Sequence, residues 1–512
     1  MRGFSLVLRG GLVADGTGAP LAALDVGVVG DRVRLLTPGT VAQADEVLDV
    51  SGSVVAPGFI DAHTHSDTAC IDASERRLDS SQAFASVLQG VTTEIAGNCG
   101  VSAFPGTYSG LAALSRAHSV SGRSNHLASL VGHGTLRAFV VGHEARPATA
   151  METARMAEAL DEALESGAVG LSTGLIYTPG SYANAAEITA LATVAARHGK
   201  PYVTHLRDEM SGVESALEEA IAIARDSGAA LHVSHHKTAG KYAWGRTEVT
   251  LARLAELRES GMDVTCDVYP YTAGSTKLSA MLPPWAHDGG PARLLERLRD
   301  PGQRDALRKA IAEGVPGWEN TVGNGGWDRI VVAGALRHAA YQGQTIAALA
   351  GAADVDPVDL VAELLLSEDG DVTIISHSMC EDDVRRVLSA PFAMIGSDGV
   401  PTPGRPHPRW AGTFARVLGH YTREAGLFDL PEALRKMTGA TAARFGLTGR
   451  GVLRDGAHAD LVVFDAARVA DRATFAEPLA APEGVRLVMV GGAIAVRDGV
   501  LTAARPGRVV AV

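Results

Sequence analysis

The sequence predicts an α/β protein: a (β/α)8, TIM-like barrel with a small β-sandwich domain formed by both termini and an inserted lid segment. Three observations predict it. Both ends of the chain read as short strands with tight turns, the middle alternates short apolar runs with alanine-rich helical stretches, and one late stretch breaks that alternation. The chain has 512 residues, enough for a large domain plus a lesser one.

At the N-terminal end the candidate strands are Ser5–Leu8, Leu12–Ala14, Asp25–Val29 and Val33–Leu36. At the C-terminal end they are Ala459–Phe464, Val485–Val490 and Ala493–Val496. Each set alone leaves strand edges unpaired, and pairing the two remedies that. Residues 1–54 plus 453–512 are therefore expected to form one β-sandwich.

Residues 55–452 are expected to form the barrel. Apolar runs recur at Val54–Ile60, Val91–Ala96, Ala168–Ser172, Pro201–Thr204, Ala230–Ser234, Met262–Asp267, Val372–Ser376 and Ala393–Gly396. Helical stretches Ala150–Ser166, Ala185–His198 and Val213–Ser227 lie between some of them. Strand–helix alternation implies parallel strands, and continuous apolar strands imply burial on both faces. The count suits a closed barrel better than an open sheet. Arg329–Gly334 and Leu127–Val131 also qualify, so pattern alone leaves the eight strands unassigned. From about 272 to 335 the pattern fails, with prolines, two Gly-rich pieces and a charged helix, Ala292–Ala312. That is too long for a βα loop and reads as an insertion acting as a lid.

Composition narrows the functional classes. Hydrophobic residues make up 46% and glycine counts 58, scattered among the apolar runs rather than clustered, which suits tight strand–loop junctions. The formal net charge of −12 argues against nucleic acid as a partner. The four cysteines Cys70, Cys99, Cys266 and Cys380 include no C-x-x-C pair. The first apolar run is too short for a signal peptide, and no stretch is long enough to span a bilayer. A cytoplasmic enzyme acting on a small molecule, with no membrane partner, is expected; the oligomeric state is left open.

In a barrel, chemistry sits where strands end. The segment Ala56-Pro57-Gly58-Phe59-Ile60-Asp61-Ala62-His63-Thr64-His65 ends an apolar strand in H-x-H. Residues two apart on an extended chain point the same way, so His63 and His65 can address one metal ion. An isolated H-x-H is as readily a satisfied pair; the preceding strand makes it more specific. Cys99 lies in the turn Gly97-Asn98-Cys99-Gly100 after a strand. A lone cysteine is usually a small buried apolar residue, but flanking glycines favour a thiolate ligand. His205 and His235 end apolar strands 30 residues apart, about one βα unit. Cys99, His205 and His235 would form a three-ligand site with one open position, as in catalytic zinc centres. His232 is expected to pack behind the barrel, and His236 is ambiguous. Asp398, in Gly396-Ser397-Asp398-Gly399 after the last strand, is either a turn-former before glycine or a carboxylate facing the metal; the other four features favour the second.

Together these residues resemble the D-aminoacylase (N-acyl-D-amino-acid deacylase) branch of the amidohydrolase superfamily. The likeness extends over nearly the whole chain. It includes Ser172-Thr173-Gly174-Leu175-Ile176-Tyr177-Thr178-Pro179-Gly180, Trp244-Gly245, Cys266-Asp267-Val268-Tyr269-Pro270-Tyr271, His407-Pro408-Arg409, Arg444-Phe445-Gly446-Leu447 and the run 456–465. The resemblance implies zinc-dependent hydrolysis of the amide of N-acyl-D-amino acids. It implies one tight Zn2+ on Cys99, His205 and His235, with a second, weaker position at His63, His65 and Cys99. It implies Asp398 as catalytic acid/base, Arg409 as anchor of the substrate carboxylate, and Lys237, Tyr269 and Ser275 as further substrate contacts. Dihydroorotase and hydantoinase branches use a bridging carboxylated lysine on the fourth strand; here that strand ends Leu171-Ser172-Thr173-Gly174, and Cys99 can supply the bridging charge. A cyclic-amide hydrolase or dipeptidase of the same superfamily is the nearest rival reading, and a non-catalytic scaffold a more distant one. His377-Ser378-Met379 departs from the family pattern where side-chain pocket residues are expected.

Overall fold

The computed structural model describes residues 3–40, 43–71 and 83–512. Two sheets carry the chain ends. A four-stranded sheet runs Arg32–Leu36, Asp25–Val29, Phe4–Arg9, Ala44–Asp49. A seven-stranded sheet joins Val500–Leu501, Ala493–Arg497, Val485–Val490 and Leu461–Phe464 from the C-terminal end to Val54–Pro57, Leu12–Val13 and Ala22–Ala23 from the N-terminal end. The join is antiparallel, with Val462 opposite Ala56 and Val463 opposite Val55. Leu6, Leu8, Val26 and Val28 of one sheet pack with Val55, Val463 and Leu487 of the other in a shared core. The two ends thus cover each other's edges.

The expected strand Val54–Ile60 is two strands. Val54–Pro57 stays in the sandwich, while Phe59–Asp61 pairs in parallel with Val91–Ala96. The switch falls at Gly58, where a Cβ would sit 2.1 Å from the Thr92 methyl, so the chain can change sheets only without a side chain there.

Among the described residues, eight parallel strands form the barrel. They are Phe59–Asp61, Val91–Ala96, His126–Ser129 continuing as Val131–Gly132, Leu171–Gly174, Tyr202–His205, Leu231–Val233, Val264–Val268 and Ala393–Ile395. The eighth closes on the first through Ala62 N–H to Ile395 O (3.2 Å) and Asp398 N–H to His63 O (2.8 Å). Ile60, Ile95, Val203 and Met394 fill the interior, while Phe59, Tyr202, Leu231 and Val264 face the surrounding helices. This alternation is the strand period at work on a closed sheet.

The segment Leu127–Val131 is therefore a barrel strand, whereas Val372–Ser376 is not. The strand there, Thr373–Ser376, pairs antiparallel with Gly274–Lys277 on one side and Ile330–Gly334 on the other. The inserted sheet thus draws its third strand from beyond residue 335, the edge expected for the insertion. An apolar run of four or five residues suits either sheet, and only the partner strand distinguishes them. The expected helix Ala292–Ala312 is also two helices, Pro291–Arg299 and Pro301–Glu313. Pro301 lacks an amide hydrogen and disfavours helix at Asp300, whose carboxylate instead caps the second helix by accepting from Gly302 N–H at 2.8 Å.

Candidate active site

The carboxyl ends of the barrel strands bring the expected metal ligands together. His63 and His65 follow the first strand, Cys99 the second, His205 ends the fifth, His235 follows the sixth and Asp398 the eighth. The Cys99 thiol lies 3.3 Å from His63 Nε2 and 3.3 Å from His235 Nε2. Asp398 Oδ1 lies 3.1 Å from His65 Nε2 and 3.5 Å from His63 Nε2. Three overlapping groups have ligand atoms within 4.8 Å of one another: His63, His65 and Cys99; Cys99, His205 and His235; and His63, His235 and Asp398.

Backbone conformation aims these side chains. Cys99, His235 and Asp398 all have positive φ, at 51°, 33° and 50°. L-residues held there cost roughly 1–3 kcal/mol each, and such strain gathers at functional sites. Gly174 supports the Cys99 turn: a Cβ there would meet the Cys99 carbonyl oxygen at 2.2 Å.

Electrostatics favour a thiolate at Cys99. Burial by itself would push the thiol up, but the His63 and His235 imidazoles hold it well below the usual thiol value. For Asp398, burial would raise the carboxyl; the Arg409 guanidinium, then His63, keep it well below the ordinary carboxylate range. Arg409 begins a helix, Arg409–Arg416, and its Nη1 lies 2.9 Å from Asp398 Oδ2. Its guanidinium stacks on Tyr269 at 4.6 Å, and Nη2 donates to the Ser275 carbonyl at 3.2 Å. Lys237 Nζ lies 2.8 Å from His235 Nδ1 and 5.9 Å from the Tyr269 ring centre. Lys237, Tyr269, Ser275, Asp398 and Arg409 line one pocket with His205 and His235.

Two carboxylates at the site escaped sequence reading. Glu209 lies 3.2 Å from His235 Nδ1, 3.3 Å from His205 Nε2 and 2.5 Å from Lys237 Nζ. Asp267 lies 3.3 Å from His63 Nδ1 and accepts the His235 amide N–H at 2.9 Å. Glu209 sits in a polar loop and Asp267 inside an apolar strand; for Asp267 the signal was an acid buried in a strand. The inserted segment adds Glu319, which accepts the Glu209 amide N–H at 2.7 Å and which burial pushes up to about 8.

His232 does not pack behind the barrel. It pairs in register with Val203 of the interior layer, meets the Phe445 ring edge-to-face and lies 2.9 Å from Asp267 Oδ2. Val233 faces the helices, so its neighbour must face inward. His236 is buried 2.8 Å from Thr250 Oγ1 and joins no ligand group. Of His377-Ser378-Met379, Ser378 lines the pocket, His377 packs on Phe475 and Met379 meets the Tyr269 hydroxyl.

The donor set fits a soft divalent cation. A buried thiol and imidazoles converge, and Nδ1 of buried His205 makes no hydrogen bond. Residues 46–496 match the amidohydrolase family model, and the chain belongs to that family. A D-aminoacylase of Alcaligenes xylosoxydans xylosoxydans is 38% identical, covering 99% of this chain and 98% of that one. Among solved structures, a D-aminoacylase studied for its binuclear metal centre superposes with a TM-score of 0.84 at 36% identity, covering 99% of both chains. The N-acyl-D-glutamate deacylase of Bordetella bronchiseptica, complexed with zinc and a phosphonate mimic of the tetrahedral intermediate, superposes with a TM-score of 0.83 at 36% identity over 100% of both.

Proposed function

We propose that this protein is a zinc-dependent hydrolase that cleaves the amide of N-acyl-D-amino acids, releasing a D-amino acid and a carboxylic acid. The observation that carries the reading is the convergence of Cys99, His205 and His235 beside the Asp398–Arg409 ion pair. Cys99, His205 and His235 would hold the tight Zn2+, and His63, His65 and Cys99 a weaker second one. Zinc, when bound there, supplies Lewis acidity toward an amide carbonyl and toward water.

The remaining work falls to the chain's own residues. Asp398 accepts a proton from the attacking water and returns it to the leaving amine nitrogen as the C–N bond breaks. The Tyr269 hydroxyl donates toward the carbonyl oxygen as negative charge develops there. Arg409 grips the substrate carboxylate, and its buried Nε, which makes no hydrogen bond within the protein, is a donor free for that purpose. Lys237 and Ser275 contribute polar contacts on the same side. With carboxylate and carbonyl both held, one direction remains for the side chain, and chirality follows from that geometry.

We read residues 1–54 with 453–512 as the supporting sandwich, and 55–452 as the catalytic unit with an inserted lid. No described helix is long and apolar enough to cross a membrane, and all four cysteines are unpaired, in keeping with a cytoplasmic enzyme. The test is a panel of N-acetyl-D-amino acids, their L-enantiomers, hydantoins and dihydroorotate, with zinc measured on the same sample. Turnover confined to the D-amides supports the reading; turnover confined to cyclic amides or L-enantiomers overturns it.

A further inference from the structure

We propose that a second cleft beside Cys99 receives the acyl group of the substrate and selects uncharged, apolar acyl chains longer than acetyl. This rests on the deacylase reading and extends it to the other half of the scissile amide.

The cleft has a volume of about 440 Å³, against about 70 Å³ for the pocket that contains Arg409 and Lys237. Tyr177 lines both, so they adjoin at the metal ligands. Cys99 forms part of the cleft wall, and the apolar surface comes from Val101, Pro105, Ala138, Phe139 and Pro179. Among the described residues lining it, none is Lys, Arg, Asp or Glu. Val101 is 57% exposed and Phe139 61%, two large apolar side chains left facing solvent at one cleft.

The chemistry of an amide assigns the cleft its occupant. A trans amide sends its two carbon substituents to opposite sides of the planar C–N unit. The α-carbon must lie toward Arg409, because the carboxylate it bears is held there. With the carbonyl carbon at the metal ligands, the acyl chain leaves on the other side, beside Cys99. The charged groups that grip the amino acid line only the first pocket, and a charged acyl chain in the cleft would lose water without gaining a partner. An apolar chain covers Val101 and Phe139, and each added methylene gains transfer free energy.

The experiment compares kcat/KM for N-formyl-, N-acetyl-, N-butyryl-, N-hexanoyl- and N-succinyl-D-leucine. The expected result is a rise of roughly two- to fourfold per methylene up to hexanoyl, for chains half to fully covered. N-succinyl-D-leucine should fall below the butyryl substrate. Phe139→Ala and Val101→Asp, both at exposed positions and checked by thermal unfolding, should flatten that rise by slowing the long-chain substrates most. A flat or falling series in the unaltered protein, or a rise unaffected by either variant, overturns the assignment while acetyl turnover leaves the deacylase reading standing. Where the N-acetyl panel shows another D-amino acid to be preferred, the series is built on that one, and absence of turnover on every N-acetyl-D-amino acid of the panel removes the deacylase reading itself, and this proposal with it.

Discussion

Asp267 Oδ2 lies 3.3 Å from His63 Nδ1, and the same carboxylate takes the His235 backbone N–H through its other oxygen at 2.9 Å. One buried acid on the seventh strand thereby orients histidines that follow the first and the sixth. A carboxylate on Nδ1 fixes the tautomer that leaves Nε2 free, and His63 Nε2 is the atom facing Cys99. Asp267→Asn should lower metal affinity at the His63 position by about 10- to 100-fold. Competition with a chelating dye measures it, and unchanged affinity would remove Asp267 from that role.

Cys99 belongs to two of the ligand groups, whereas His205 belongs to one. Cys99→Ala should therefore abolish binding at both positions. His205→Ala should abolish the tight position and retain weak binding at His63, His65 and Cys99. Metal analysis after dialysis against graded zinc separates the two. Removing zinc from the unaltered protein should abolish turnover and lower the unfolding temperature, both restored on adding it back.

Asp398 and Arg409 are 2.9 Å apart yet have different assigned tasks. Asp398→Ala should lower kcat by about 10²- to 10⁴-fold, the usual contribution of a general acid–base, with zinc retained. Arg409→Ala should act chiefly on KM, as the role proposed for it in gripping the substrate carboxylate requires. Steady-state kinetics with metal analysis checks both, and wild-type turnover in Asp398→Ala would show that another group moves the proton.

Glu187, on the helix Ala185–Arg197, ties it from a buried position to the helix His133–Val140. Its carboxylate lies 2.9 Å from His133 Nε2 and 2.6 Å from Arg137 Nη1. Burial would raise its carboxyl, but those two partners bring it down to about 2. A carboxylate depressed in the folded state stabilises fully above its unfolded value, about 4.3, and loses that contribution as pH falls toward about 2. Glu187→Ala should cost about 3–5 kcal/mol at neutral pH by leaving Arg137 buried without its partner. The deficit should shrink below pH ~4, as linkage requires; denaturant unfolding across pH measures it.

Strand ends and the candidate ligands on them were legible because both are local patterns. The H-x-H of His63 and His65, the glycine-flanked Cys99, and His205 and His235 all lie where continuous apolar runs stop. The pairing of the two chain ends was legible for a related reason, since each alone leaves edges exposed. The sheet change at Gly58 was not, because a Thr92 methyl from another strand imposes it. Nor was the removal of Thr373–Ser376 to an antiparallel sheet, because its partners Gly274–Lys277 and Ile330–Gly334 are remote in the chain.

The sequence by itself determined which residues can bind metal and on which strand ends they stand, since side-chain chemistry and strand period are properties of neighbouring residues. Tertiary structure alone decided that Glu209 and Asp267 contact those histidines, that His232 faces inward, and that Asp398 meets Arg409. Closing the barrel brings eight strand ends to one rim, and distance between groups far apart in the chain exists only after that closure.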